Sequence, residues 1–144
     1  MQWIINKWAE YGVDLDIDAL DQHGYTPLYL VCYKGYLGTD GIAASSPDTR
    51  MKRKLCVEAL IKRGADINYI TPKLNMTPLH WAAFQGDAEL VQLLLENGAE
   101  QLANVYDLYP VDIAGFMNKA EVIMTFCKNL EKKILVENAR RLHN

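Results

Sequence analysis

Thr77-Pro78-Leu79-His80-Trp81-Ala82-Ala83-Phe84-Gln85-Gly86 decides the fold, because the chain contains it more than once. Thr26-Pro27-Leu28-Tyr29-Leu30-Val31-Cys32-Tyr33-Lys34-Gly35 aligns on it without a gap. A third, weaker copy is Tyr109-Pro110-Val111-Asp112-Ile113-Ala114-Gly115-Phe116-Met117-Asn118. Each copy is followed by an apolar stretch of helical character, over 55–61, 88–95 and 121–127, and two of these end in a matching tripeptide, Gly64-Ala65-Asp66 and Gly98-Ala99-Glu100. Units that recur in this way cannot bury an apolar face alone and must stack on one another to make a core.

The residue types explain the unit. Thr26 and Thr77 precede Pro27 and Pro78, which places a capping hydroxyl before a proline at the first helical position. Ala82 and Ala83 keep the first helix thin, so that neighbouring units approach closely. Glu89-Leu90-Val91-Gln92-Leu93-Leu94-Leu95 is apolar on the sides that would meet both neighbours. Gly64 and Gly98 stand where a second helix ends in a left-handed residue.

This pattern resembles the ankyrin repeat, a β-turn and two antiparallel helices over about 33 residues with a T-P-L-H-x-A signature. The match is fullest from Thr77 to Ala99 and extends over nearly the whole chain. It implies an all-α solenoid of stacked helix-turn-helix units joined by short β-hairpin loops. It also implies that His80 hydrogen-bonds within the fold, and that Trp81 fills the core, worth about 2 to 3 kcal/mol by burial.

The expected organisation is one ankyrin-repeat domain over 1–144. It divides into a partial repeat (1–20), a repeat carrying an insert (21–70), a regular repeat (71–103), a degenerate repeat (104–130) and a capping helix (131–144). The first two signatures stand 51 residues apart. Most of the excess lies between the helices of the first full repeat, where Gly, Ser, Asp and Pro predict a mobile loop over 37–53. Long insertions there are tolerated, since closure entropy grows only logarithmically with loop length. Arg50-Met51-Lys52-Arg53-Lys54 is a basic cluster with two readings, a solvated helix start or a contact for an acidic or phosphorylated partner. Ser46-Pro47 is a short phosphosite pattern, and Asn68 resembles positions of asparagine hydroxylation in the family.

At the front, Trp3, Ile4 and Trp8 make a poor polar cap. Either the chain is a fragment of a longer protein, or these aromatics close the stack. At the back, Ile134, Leu135, Ala139 and Leu142 predict a cap with one buried side.

Half of the residues are apolar, 23% are charged, and the formal net charge is −3. No broad basic surface offers itself to nucleic acid, and no apolar run is long enough to span a bilayer. Cys32, Cys56 and Cys127 are odd in number and widely spaced, which fits reduced thiols of a cytoplasmic, intracellular protein better than a disulfide or zinc framework. The sequence carries no phosphate loop, no metal-spaced ligand set and no nucleophile elbow. No catalytic residue, metal or cofactor is therefore expected.

The resemblance implies a protein–protein interaction module, since partners in this family are usually held by hairpin tips and the inner face of the first helices. Carried over by position, that face places Tyr33, Phe84 and Phe116 in one row and Tyr25, Met76 and Leu108 beside it. Lys34 and Gln85 border the rows. Gln22, His23, Leu74, Tyr106 and Met117 are further exposed positions. A monomer binding a protein or peptide is expected. The alternative is the recognition domain of a larger enzyme or channel, for example a palmitoyltransferase or a cation channel.

Overall fold

Proline sets where the inner helices begin. Pro27, Pro78 and Pro110 each stand at a helix start, where a missing N–H costs nothing and the fixed φ already suits a helix. The computed structural model describes residues 16–37 and 47–143, without the side chains of 34–37 and 47. Among these are six helices and no strand: α1 (Pro27–Leu37), α2 (Pro47–Lys62), α3 (Pro78–Gln85), α4 (Ala88–Glu96), α5 (Pro110–Phe116) and α6 (Ala120–His143). Inner helices stack α1 on α3 on α5, and outer helices α2 on α4 on α6. The all-α repeat solenoid expected from the sequence is what forms.

Side chains cap the inner helices as the residue types require. Tyr29 N donates to Thr26 Oγ1 at 3.2 Å, and His80 N to Thr77 Oγ1 at 3.3 Å. Tyr109 has no oxygen near its own backbone to offer. There the carboxylate of Asp112 accepts from Tyr109 N at 2.8 Å instead.

The hairpins before the inner helices are short. Each is closed by a pair of backbone bonds of 3.0 Å: Asp21 N to Tyr25 O with Gly24 N to Asp21 O, Thr71 N to Met76 O with Asn75 N to Thr71 O, and Asn104 N to Leu108 O with Asp107 N to Asn104 O. The equivalent tip residues are Gly24, Asn75 and Asp107, with φ of 80°, 53° and 60°. Asn and Asp are the side chains that best tolerate this left-handed region, so they replace glycine here without breaking the hairpin. Neighbouring hairpins are joined where Val105 N donates to Leu74 O at 3.0 Å.

One apolar core runs between the two layers. Leu28, Cys32, Val57, Leu60, Leu79, Leu90, Leu94 and Val122 are all essentially inaccessible, so each repeat completes the core of the next.

Two expectations need correcting. The segment taken as a mobile loop over 37–53 is already helical from Pro47, and Arg53 is buried. Arg53 and Asp87 hold the same position in successive repeats. Stacking brings their opposite charges together, with Arg53 Nη1 at 3.2 Å from Asp87 Oδ2. The Arg53 guanidinium is therefore neither a solvated helix start nor a partner contact. Residues 38–46, with Ser46, lie outside the described residues, as do Trp3, Ile4 and Trp8 of the partial repeat.

The second correction concerns the cap. No separate helix folds back over the last repeat: α6 runs unbroken through 24 residues, and only Val122 and Phe126 in it are buried. Ile134, Leu135 and Leu142, expected to be covered, are 51%, 68% and 86% exposed. The stretch 120–143 has no glycine or proline at which the chain could turn back, so the helix continues past the stack.

Candidate partner-binding surface

Repeating a position every repeat lines its side chains up along the stack, and on the inner side this collects aromatics. Tyr29, Met76 and Ile113 are buried together, and Tyr25, Tyr33, Tyr69, Trp81, Phe84 and Leu108 pack over them half-buried. Ring centroids lie 5.4 Å apart for Tyr25–Tyr33, 4.7 Å for Tyr33–Trp81 and 5.7 Å for Trp81–Phe84. These are contact distances for offset and edge-on rings. The rings therefore pack against one another as one half-buried aromatic surface.

Polar atoms lock this surface from beneath. Trp81 Nε1 donates to the Tyr29 hydroxyl at 2.7 Å, and the Tyr69 hydroxyl donates to Gly24 O. Burial pushes the Tyr29 phenol above its ordinary pKa, so it stays protonated and able to bond. His80 accepts from Thr77 N at Nδ1 (3.1 Å) and donates from Nε2 to Leu108 O (2.9 Å). Nδ1 thus closes the cap within its own repeat, Nε2 joins the second repeat to the third, and burial lowers the pKa of the ring. The imidazole serves structure, as the resemblance implied.

The sequence-chosen residues separate on this surface. Tyr25, Tyr33, Phe84 and Leu108 come together as one half-buried patch. Met76 does not present itself: it is 8% exposed, and its sulfur accepts from Asn104 Nδ2 at 3.3 Å, so it supports the patch from below. Gln85 spends its amide nitrogen on Cys32 O in the preceding repeat, while its Oε1 is buried with no hydrogen-bond partner among the described residues. Phe116 stands apart at the end of the row, 77% exposed. Lys34 lies on α1, but its side chain is outside what the structure describes.

The hairpins add a second, exposed set. Ile70, Leu74, Val105 and Tyr106 are all substantially exposed, Tyr106 at 70%. Ile70 and Val105 escaped the sequence reading, because a hydrophobic residue on a two-repeat finger looks the same as one that folds inward. Asn68 is spoken for: its Nδ2 donates to Gly98 O at 3.1 Å and its Oδ1 accepts from Glu100 N at 2.8 Å.

Among the described residues no group of His, Cys, Asp and Glu is placed to hold a metal ion. No described helix is long and apolar enough to cross a membrane.

A family profile described as ankyrin repeats in three copies matches residues 1–105 and 41–138. Among curated proteins, ankyrin repeat and SOCS box protein 5 of Bos taurus is 38% identical over 72% of this chain and 26% of its own length. The palmitoyltransferase AKR1 of Lachancea kluyveri is 35% identical over 60% of this chain and 9% of its own length. An IkB-like protein of African swine fever virus is 30% identical over 87% of this chain and 52% of its own length. The chain thus spans about a tenth to a quarter of the first two and half of the third. Ankyrin repeats generally mediate protein–protein interaction, and proteins built from them are typically not enzymes. With the stacked helix pairs, the shared capping chemistry and a profile match over most of the residues, the chain belongs to the ankyrin-repeat family.

Proposed function

We propose that the chain is a non-catalytic protein–protein interaction module that holds a partner protein or peptide against the inner helices and hairpin tips. Tyr25, Tyr33, Phe84, Leu108 and Phe116 form the contact row, with Lys34 and Gln85 at its border and Met76 beneath. The observation that carries this reading is the run of half-buried aromatic faces over successive repeats, ending on the open ring of Phe116. Tyr and Trp faces of this kind supply large contact area for little ordering cost and dominate binding hot spots. The module is read as a monomer that acts inside the cell.

The test uses the full chain as bait and the double variant Phe116→Glu/Tyr106→Glu as control. Both side chains are exposed, so thermal unfolding should not change. Capture of the specific partner should fall by at least about tenfold, the loss of one good anchor. Equal capture by both proteins would remove the inner face and tips from consideration.

The match to a short part of a palmitoyltransferase favours a second reading, in which this module is the recognition domain of a larger enzyme or channel. The coding sequence on either side of these residues decides between them, through the presence or absence of a catalytic or membrane block.

A further inference from the structure

We propose that residues 130–142 of α6 are a docking helix for a calcium-sensor groove, one with an apolar floor, an acidic rim and an opening driven by Ca2+. The packed part of α6 ends near Asn129, and every residue from Leu130 to His143 is exposed. Leu130, Ile134, Leu135, Val136 and Leu142 are 59%, 51%, 68%, 51% and 86% accessible. That is far more exposed apolar side chain than an unbound helix surface ordinarily carries.

Spacing and charge identify the occupant. Leu135, Ala139 and Leu142 follow the i, i+4, i+7 anchor pattern of a helix laid into a groove. Between 128 and 143 there are five Lys and Arg against two Glu, a local net charge of +3 on a chain whose total is −3. A basic helix with exposed apolar side chains on several sides suits an acidic groove that encloses it. The groove exposed by Ca2+ in EF-hand sensors is apolar inside and fits this chemistry.

The other occupants fit less well. Two copies pairing along α6 would oppose two helices of the same charge. An anionic lipid surface would attract the basic helix as an acidic groove does, but a flat surface covers one side only. Val136 stands about 100° round the helix from Leu135, and burying both calls for a partner that wraps. Every residue from 130 to 143 is exposed, which leaves this part of α6 accessible to a wrapping partner.

The experiment is calorimetric titration of the full chain with Ca2+-loaded calmodulin as the probe groove. A one-to-one complex that dissociates on chelation of Ca2+ is expected. Leu135→Glu/Leu142→Glu should weaken it by roughly thirtyfold or more, the effect of losing a hot spot. Lys132→Glu/Lys133→Glu should weaken it by about tenfold and flatten its salt dependence. These side chains are exposed, so unchanged thermal unfolding will show that the fold is intact. Phe116→Glu should leave this complex unaffected, which separates it from binding on the inner face. No complex, a complex indifferent to Ca2+, or full affinity in the leucine variant would overturn the proposal. So would Ca2+-independent sedimentation with phosphatidylserine vesicles, or a dimer lost in the leucine variant, each naming a different occupant.

Discussion

At His80 hydrogen bonds converge on a residue with no accessible surface: Nδ1 accepts from Thr77 N, Nε2 donates to Leu108 O, and the backbone N–H is capped by Thr77 Oγ1. A protonated ring would lose the Nδ1 acceptor and carry a buried charge, and burial accordingly holds its pKa below the usual 6.5. In the unfolded chain the ring takes up a proton near pH 6.5. The unfolded state therefore binds more protons, and stability falls as pH drops below about 6.5. Urea unfolding from pH 7.5 to 5 should show this slope. His80→Gln, which keeps a capping-box residue at the same place, should remove its contribution. If the variant retains the full slope, His80 is not its source. The role of His80 was legible through the family resemblance of Thr77 to Ala83, which implied that this ring hydrogen-bonds within the fold. The burial of Met76 was not, because whether a residue at that position faces outward depends on Asn104, which lies in the next repeat.

At the scale of the helix, Arg53 joins α2 to α4. Asp87 caps α4 by accepting from Leu90 N at 3.2 Å and receives Arg53 on its other oxygen. Both side chains are about 5% exposed. Lys119 holds the same repeat position one unit further on, and its methylenes cover Gly86, so charges of alternating sign run along the stack. Removing one member of a buried pair strands the other. Arg53→Met should cost about 3 to 5 kcal/mol. Arg53→Met/Asp87→Ser retains a cap for α4 without the stranded carboxylate and should recover much of that loss. Chemical denaturation of the two variants checks this; equal stabilities would show that Asp87 does not need its partner. A basic cluster in a sequence does not reveal which of its charges will be buried, because the deciding residue is 34 positions away. The overextended α6 was hidden for a related reason: its apolar stripe is the same whether a neighbour covers it or not.

Over the whole molecule, stability is a sum of repeats and of the interfaces between them. Among the described residues, the cross-links of the first interface include Trp81 to Tyr29, Gln85 to Cys32, Arg53 to Asp87, Asn68 to Gly98 and Glu100, and the packing of Tyr33 on Trp81. Trp81 takes part in two of them, being wedged between the main core and the aromatic patch. Trp81→Ala should therefore cost about 3 to 5 kcal/mol, mostly at one interface, and the first repeat should open before the others. Cys32 reports that event. Its thiol is fully buried and its pKa is pushed up to about 12, chiefly by that burial, so it is inert while the first repeat is closed. Cys127 is exposed and Cys56 partly so, and they serve as internal standards. In the parent chain a thiol reagent should modify Cys127 at once and Cys32 only at the rate of global unfolding. In Trp81→Ala, Cys32 should react well before the helices of the last repeat lose amide protection. Trp81→Phe keeps an aromatic ring in place and gives up the bond to Tyr29, about 1 kcal/mol, together with part of the ring volume, so it should lie closer to the parent than Trp81→Ala. If Cys32 and the last repeat become accessible together in Trp81→Ala, the three repeats unfold as one unit and the interface is not their weak point.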